Sequence, residues 1–376
     1  MIGSLFHFGS TFVDYALAFL VLITPVVFFH ELGHFSVARF FGVKVETFSI
    51  GFGPAIASWV DRKGTLWKLS WFPLGGYVKF LGDLDAASTP DRERLDKMPD
   101  AERAAAFPYK PLYQRALIVA AGPIANFVLA IAIFTAFFMI FGGMVAPAIV
   151  DKLVPGGVAQ AAGFKPGDLI TEVDGRSVDG FDDVAVMVQM RPKVPMEFVV
   201  LRHGTRVTIH ATPRTVVQKD QLGETETIGL LGFSSAKPKA VTYGPIAAVR
   251  EACRMTWSIL RTSWDFRVQL FAGTPGAVSQ LHGPLGIATI AGKVASISFL
   301  SLIKLAALIS VSIGLVNLFP IPILDGGHLL YYGCEAVLGR PLGARAQELG
   351  FRLGLAVMLG LMVLATWNDL VRLNLF

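Results

Sequence analysis

The sequence is poor in charge and in cysteine. Only 16% of its 376 residues are charged and 53% are hydrophobic, whereas soluble domains carry about 25% charged residues. This balance excludes an ordinary soluble enzyme and a disordered or fibrous chain. Its 2 cysteines allow at most one disulfide and exclude a cysteine-based zinc framework. The net charge of +5 does not indicate a nucleic-acid partner, because Lys and Arg are spread through polar segments rather than clustered on one face.

Long apolar runs take the place of the missing charge. A helix needs about 20 apolar residues to cross the hydrocarbon core of a bilayer, and four runs meet or approach that length. They cover residues 12–29 with a continuation to 41, 116–141, 297–319 and 349–366. The first run lacks the basic start and the cleavage site of a secretory signal peptide. The sequence therefore predicts a polytopic α-helical membrane protein with four transmembrane helices.

The segments between these runs predict β-structure and one amphipathic helix. Strand-like runs at Val43–Ile50 and Thr65–Phe72, separated by a turn at 61–64, predict a β-hairpin. Short strands and Gly/Pro turns over 144–240 predict a small mixed domain. From 246 to 270, apolar residues recur three and four apart, as in a helix that lies along a membrane interface. A core helix of the soluble domain is the alternative interpretation of that last pattern.

These patterns divide the chain into seven predicted segments with a predicted sidedness. The segments are a first transmembrane helix (1–41), a β-hairpin and charged loop (42–113), a second transmembrane helix (114–143), the mixed domain (144–240), an interfacial helix with a connecting loop (241–296), a third transmembrane helix (297–328), and a fourth one with the C-terminus (329–376). Lys and Arg in short flanks favour the cytoplasm. They place 42–113 and 320–348 there, and both termini and the mixed domain on the outer side.

The segment His30-Glu31-Leu32-Gly33-His34 carries the main chemical signal. Residues four apart share a helix face, so His30 and His34 can bind one Zn²⁺. Glu31 can then act as the base that removes a proton from water. Ionisable groups at membrane depth are costly and are usually functional. A pair of interfacial histidines beside a glutamate that reaches toward water is the alternative.

A third ligand is expected from the end of the third span, because catalytic zinc usually has three protein ligands. Pro320 and Pro322 interrupt the helix there, and broken backbone at membrane depth occurs where it lines a cavity or is buried in protein. Asp325 would supply a carboxylate, although a turn or helix cap remains an alternative role for it. The prolines would set an extended chain with free carbonyls beside the metal, and Asn317 could hydrogen-bond a substrate backbone.

The sequence resembles the site-2 protease family of intramembrane zinc metalloproteases, and within it the bacterial regulator-of-sigma-E protease branch, over nearly the whole chain. The motifs that carry the resemblance are His30–His34, Gly122–Asn126, Asn317–Gly326, Gly51–Pro54, Phe72–Tyr77 and Leu281–Ile287. The resemblance implies zinc as cofactor, with His30, His34 and Asp325 as its ligands. It implies Glu31 as catalytic base, and it groups Asn317, Pro320, Pro322 and Asn126 as residues beside the substrate.

The resemblance also implies a cellular role. Residues 144–215 resemble one PDZ domain, where the best-known member of the branch has two in tandem. Such a protease lies in the bacterial inner membrane, with its active site toward the cytoplasm. It cleaves single-span membrane proteins, such as an anti-sigma factor or a signal-peptide remnant, after an upstream site-1-type protease has trimmed them. The hairpin would pair with an unwound substrate by strand addition, and Thr65–Phe72 is predicted to lie near the pairing edge. A plain cytoplasmic hairpin is the alternative interpretation.

Two functions without catalysis compete with the protease. A metal transporter should show internal repeats or ionisable positions in several spans, and the sequence has one His/Glu/His cluster and a distant aspartate instead. A membrane scaffold with a PDZ domain would be expected to have lost Glu31 or a metal ligand, and all four residues are present.

Overall fold

The computed structural model describes residues 2–83, 91, 94–95, 97–178, 180–219, 225–271 and 281–372. The chain forms two compact units. The first, here called the helical unit, comprises Met1–Thr135 and Val249–Phe376; the second, here called the β-rich unit, is Ala136–Ala248.

Ten α-helices and twelve strands are formed by the described residues. The helices are α1 (Ile2–Phe40), α2 (Asp100–Arg103), α3 (Leu112–Phe141), α4 (Val158–Ala161), α5 (Phe181–Gln189), α6 (Pro245–Phe271), α7 (Pro284–Ile297), α8 (Phe299–Asn317), α9 (Asp325–Leu338) and α10 (Ala344–Arg372), with a 3₁₀ turn at Phe107–Tyr109. The strands are β1 (Val45–Val60), β2 (Leu66–Phe80), β3 (Gly143–Val145), β4 (Val150–Leu153), β5 (Leu169–Val173), β6 (Arg176–Ser177), β7 (Met196–Arg202), β8 (Thr205–Ala211), β9 (Arg214–Lys219), β10 (Thr225–Leu230), β11 (Phe233–Ser235) and β12 (Lys239–Val241).

Four of these helices are long and apolar enough to cross a membrane. The candidate spans are Val13–Phe40, Leu112–Phe141, Phe299–Asn317 and Arg345–Arg372. They coincide with the four predicted apolar runs, so that part of the sequence prediction is confirmed. Large apolar side chains such as Leu17, Val128 and Val363 are more than half exposed on these helices. An apolar surface of this extent is stable against lipid and would promote aggregation in water.

The β-hairpin between the first two spans folds back on itself. Phe48 in β1 pairs with Val78 on one side and with Trp67 on the other, and Trp67 also pairs with Trp59. Residues 66–69 therefore have partners on both sides, and 76–80 form an outer edge. The expectation that Thr65–Phe72 lies near a free edge is wrong at 66–69. The long β1 bends at two glycines of positive φ, at positions 51 and 53, and its two halves flank the same part of β2.

Helices α7 and α9 were not predicted as separate helices. The apolar helix α7 lies where a connecting loop was expected up to residue 296; at 14 residues it is too short to read as a span. The predicted third span, 297–328, is interrupted as its two prolines suggest: α8 ends at Asn317 and α9 begins at Asp325. Leu324, not Asp325, is the N-cap of α9. Residues 272–280 of the predicted loop, and 84–90 of the predicted charged loop, lie outside the described residues.

The β-rich unit has a conventional apolar core. Its four-stranded sheet has the order β6-β5-β7-β8, and α5 packs against it through Val184 and Val188. The short strands predicted over 144–240 include β7 and β8 of this sheet. The predicted mixed domain over 144–240 lies within this unit. The likeness of part of it to a PDZ domain stays a prediction.

Candidate metal centre

Three side chains that the sequence predicts as metal ligands converge in the helical unit. His30 and His34 extend from neighbouring turns of α1, and Asp325 is the first residue of α9. Nε2 of His30 lies 3.2 Å from Oδ2 of Asp325, and Nε2 of His34 lies 3.6 Å from Oδ1. The two Nε2 atoms are 3.2 Å apart. One ligand atom from each of the three residues lies within 4.8 Å of the other two, so the three can share one metal ion.

The geometry fits a tetrahedral metal ion. Ligand atoms about 2.1 Å from a tetrahedral zinc are separated by roughly 3.4 Å. The two Nε2 atoms are 3.2 Å apart, and each lies 3.2 or 3.6 Å from one oxygen of Asp325, Oδ2 for His30 and Oδ1 for His34. Oδ2 of Asp325 is buried and accepts no hydrogen bond of good geometry from the described residues, although Nε2 of His30 lies 3.2 Å away. A cation bound between the two atoms would relieve this costly state. The other ring nitrogen of His34, Nδ1, donates to the carbonyl of Ile118 at 2.9 Å. Such a contact is typical of histidines that bind metals.

Glycines make room for this cluster. A Cβ atom on Gly122 of α3 would overlap Nε2 of His34 and crowd Cε1 of His30. On Gly33, it would overlap the carbonyl of Ala121. Helices α1 and α3 can therefore approach closely only because both positions lack a side chain. Gly122 belongs to a motif that the sequence singled out, but its steric role emerges only from the fold.

A cavity of about 320 Å³ opens beside the cluster. Its walls come from α1, the outer edge of β2, α8 and α9, and they include Glu31 and Asn317. The lining residues are Val27, His30, Glu31, His34, Gly75, Gly76, Tyr77, Val78, Phe80, Phe107, Val119, Ile313, Asn317, Ile323, Leu324, Asp325, His328 and Tyr332. A Cβ on Gly76 would lie 3.0 Å from Cγ of Glu31. The predicted base, the predicted ligands and a strand edge therefore share one space.

The other predicted site residues are placed differently. Asn317 lines the cavity, with Nδ2 3.4 Å from Nε2 of His30. Asn126 is fully buried and contacts Nδ1 of His30 at 3.2 Å, so its side chain meets a predicted ligand. Pro320 and Pro322 are absent from the described lining of the cavity.

The two prolines lie in a run of turns, where the sequence predicted an extended chain. Ile321 N donates to the carbonyl of Phe319, and Leu324 N donates to that of Ile321. The expectation of an extended chain is therefore wrong. The proline rings end α8, but local hydrogen bonds then coil the chain so that α9 can begin within eight residues of Asn317.

An ion pair near the cavity had no signal in the sequence. Arg115 of α3 donates to both carboxylate oxygens of Glu335 in α9, at 3.2 and 2.6 Å. Its guanidinium also lies 5.0 Å from the ring centre of Tyr332, which lines the cavity. Partners 220 positions apart can be found only from the fold. The pair connects α9, which carries Asp325, to α3, which packs against the two histidines.

Comparison with known proteins gives consistent matches. The model of peptidase family M50 matches residues 18–361. A relative from Rhizobium meliloti, named as a candidate zinc metalloprotease, is 44% identical over 356 residues, which cover 94% of this chain and 95% of the relative. One from Agrobacterium fabrum, named in the same way, is 44% identical over 360 residues, which cover 95% of each chain. Metalloprotease MmpA from Caulobacter vibrioides is 40% identical over 388 residues, which cover 97% of each chain.

Proposed function

The chain belongs to peptidase family M50, a family of zinc-dependent metalloproteases, and we propose that within this family it is an intramembrane endopeptidase. Its substrates are single-span membrane proteins, such as a trimmed anti-sigma factor or a signal-peptide remnant. The position of the cluster is the main support for this proposal. His30, Glu31 and His34 lie inside the apolar segment Val13–Phe40, which is long enough to span a membrane.

The residues of the cluster divide the chemistry among them. His30, His34 and Asp325 hold the zinc ion, which, when bound, polarises the scissile carbonyl and lowers the pKa of water. Glu31 takes the proton of the attacking water and delivers it to the leaving amine. Asn317 lies within reach of the same space and orients the substrate backbone by hydrogen bonding.

The edge of the hairpin presents the substrate. A transmembrane helix hides its carbonyls in backbone hydrogen bonds, so it must unwind before hydrolysis. Residues 76–79 pair with β1 on one side only, as far as the described residues extend, and Gly76–Val78 line the cavity. An unwound segment adds to this edge as a further strand, and Gly76 lets the edge approach Glu31 closely because it lacks a side chain. This assignment replaces the earlier expectation for Thr65–Phe72.

The cellular setting follows from the charge distribution. Lys and Arg in 42–113 and 320–348 favour the cytoplasmic side of a bacterial inner membrane. The termini and the β-rich unit are then periplasmic, and the active site lies toward the cytoplasm. A PDZ-like domain in the β-rich unit excludes substrates that an upstream site-1-type protease has not trimmed. Deletion of 150–215 should increase cleavage of untrimmed substrates, and unchanged cleavage would remove the filter from this scheme.

Conversion of Glu31 to Gln tests the protease. The full chain in detergent or liposomes is given a single-span membrane protein, and the products are mapped by mass spectrometry. We expect wild type to cleave within the span, and Glu31→Gln to retain zinc while losing cleavage. Glu348→Gln is a matched control, because Glu348 is exposed and pairs only one helical turn away with Arg352; it should cleave normally.

The same assay separates the alternatives. A scaffold or a metal transporter would give no products with wild type, and Glu31→Gln would leave its behaviour unchanged. If Glu31→Gln cleaves as well as wild type, the protease assignment fails. If products arise only outside the span, the intramembrane assignment fails while the metalloprotease stands.

A further inference from the structure

The side chain of Asn126 has an unusual place in the metal centre. Asn126 lies on α3 and is 0% exposed. Its Nδ2 is 3.2 Å from Nδ1 of His30, while its Oδ1 is buried without a hydrogen-bond partner among the described residues. Its main-chain carbonyl accepts a hydrogen bond from Oγ of Ser310 at 2.8 Å, which fixes the backbone at this position.

The tautomer of His30 decides whether Nδ2 or Oδ1 of Asn126 can form a hydrogen bond with its ring. An Nδ2 that donates to Nδ1 leaves the proton of a neutral imidazole on Nε2, the atom that faces His34 and Asp325. A metal ligand needs the opposite arrangement, with a free lone pair on Nε2 and the proton on Nδ1. That proton needs an acceptor. The two ends of an amide have nearly the same size, so a half-turn of the side chain places Oδ1 there.

The neighbouring histidine already has this arrangement. Nδ1 of His34 faces the carbonyl oxygen of Ile118, also on α3, at 2.9 Å. A main-chain oxygen can only accept, so it holds the proton on Nδ1 and leaves Nε2 free for a metal. Residue 126 lies two turns further along α3 and occupies the matching place beside His30. Helix α3 can therefore orient both rings, one through its backbone and one through a side chain.

We propose that Asn126 is a positioning residue whose amide oxygen accepts the Nδ1 proton of His30 and so holds His30 in its metal-binding tautomer. The inference rests on the proposed role of His30 as a zinc ligand. It removes Asn126 from the residues that contact substrate. Loss of a partner of this kind commonly weakens metal binding about 10- to 100-fold.

Two substitutions distinguish an acceptor from a donor. Asn126→Asp keeps acceptor oxygens and has no N–H, while Asn126→Leu has a similar volume and neither group. The full chain, purified in detergent, is titrated with a zinc chelator, and Co²⁺-substituted protein is compared by its visible absorption. We expect Asn126→Asp to retain zinc within a few-fold of wild type, and Asn126→Leu to lose about 10- to 100-fold in affinity. Ser312→Ala, on the same helix as Ser310 but with a hydroxyl that donates to the carbonyl of Leu308 in its own helix at 3.1 Å, should bind zinc normally.

The outcomes separate this inference from the proposed function. If Asn126→Leu binds zinc as tightly as wild type, or if Asn126→Asp is as weak as Asn126→Leu, the positioning role is wrong. His30→Ala provides the reference: if it also binds zinc normally, the metal assignment itself fails. Should Asn126→Leu not fold, Asn126→Asp still decides, because a donor role predicts loss of zinc and an acceptor role predicts retention.

Discussion

Two aspartates, one in each unit, are held in opposite ways. In the β-rich unit, Asp168 accepts two hydrogen bonds from Arg202, at 2.7 Å each, and one from the backbone of Lys165 at 2.8 Å. In the helical unit, Asp325 faces two histidines, and its buried Oδ2 accepts no hydrogen bond of good geometry from the described residues. The first carboxylate is saturated by the protein itself, whereas the second keeps an unused acceptor for a cation.

The interactions that hold the two aspartates in position also differ. Asp168 is placed by opposite charge, which holds the ends of β5 and β7 together. The segment that carries Asp325 is placed by shape, because glycines let backbone and rings approach where a Cβ would overlap. Gly122 does this at the histidines, and Gly354 of α10 does it at Pro322. The contrast concerns the carboxylate of Asp325, which is kept for a cation while close packing helps to hold its segment in position; elsewhere in the helical unit, an ion pair such as Arg115–Glu335 has a structural role.

Exchange of Asp325 should have the largest effect on activity. Asp325→Ala removes a ligand, so we expect zinc to be lost and cleavage to fall more than about 1000-fold, since a metal supplies several kcal/mol of transition-state stabilisation. Folding should be retained, because this carboxylate is not part of a saturated ion pair. Metal analysis, cleavage and thermal melting measure the three quantities. Asp14→Ala, at an exposed position of α1, is the control, and normal zinc content in Asp325→Ala would contradict the metal centre.

Exchange of Asp168 should affect stability instead. Asp168→Asn leaves the partly exposed Arg202 without an opposite charge, and breaking an ion pair with a buried partner costs up to about 3 kcal/mol. We expect faster hydrogen exchange in β5 and β7 of the full chain, with unchanged zinc content. Glu172→Gln is the matched control, because Glu172 pairs with the exposed Arg206 in the same sheet and exposed pairs contribute less than about 1 kcal/mol. Equal effects of the two substitutions would show that the ion pair of Asp168 stabilises the sheet no more than an exposed pair does.

The same ion pair predicts a dependence on pH. Burial by itself would raise the pKa of Asp168, but hydrogen bonds from Arg202 and Lys165, and their charges, hold it below its usual value. A lowered pKa in the folded state gives stability that is present above the ordinary value, near 3.9, and is lost as the pH falls below it. Protection factors in β5 and β7 should therefore drop below about pH 4 in wild type. They should drop much less in Asp168→Asn, and equal pH profiles would contradict the pair.

The sequence predicted the residues of the site better than the contacts that hold those residues in place. His30, Glu31 and His34 are recognisable because helical periodicity alone puts the two imidazoles on one face. Asp325 could be proposed because the prolines before it break a span. The hairpin edge at 76–79 could not be predicted, since it depends on how β1 bends and pairs twice. The contact between Asn126 and His30, and the pair of Arg115 with Glu335, join distant parts of the chain and leave no periodic signal.

The smallest effect is expected where shape alone holds the metal-bearing segment. A Cβ on Gly354 would lie 3.2 Å from both N and Cδ of Pro322, and 3.3 Å from N of Ile323, tighter than ordinary contact. Gly354→Ala should therefore push the Asp325 segment by a fraction of an ångström. Small misplacements of reacting groups cost up to about 100-fold, and we expect a loss of cleavage of about 10-fold with zinc still bound.

In Gly360→Ala, on the same helix with open space around it, cleavage should be unchanged, because alanine favours the helix by about 1 kcal/mol and meets no neighbour. If both variants cleave equally well, close packing by α10 does not position the site, and the contrast between shape and charge would hold only at the histidines.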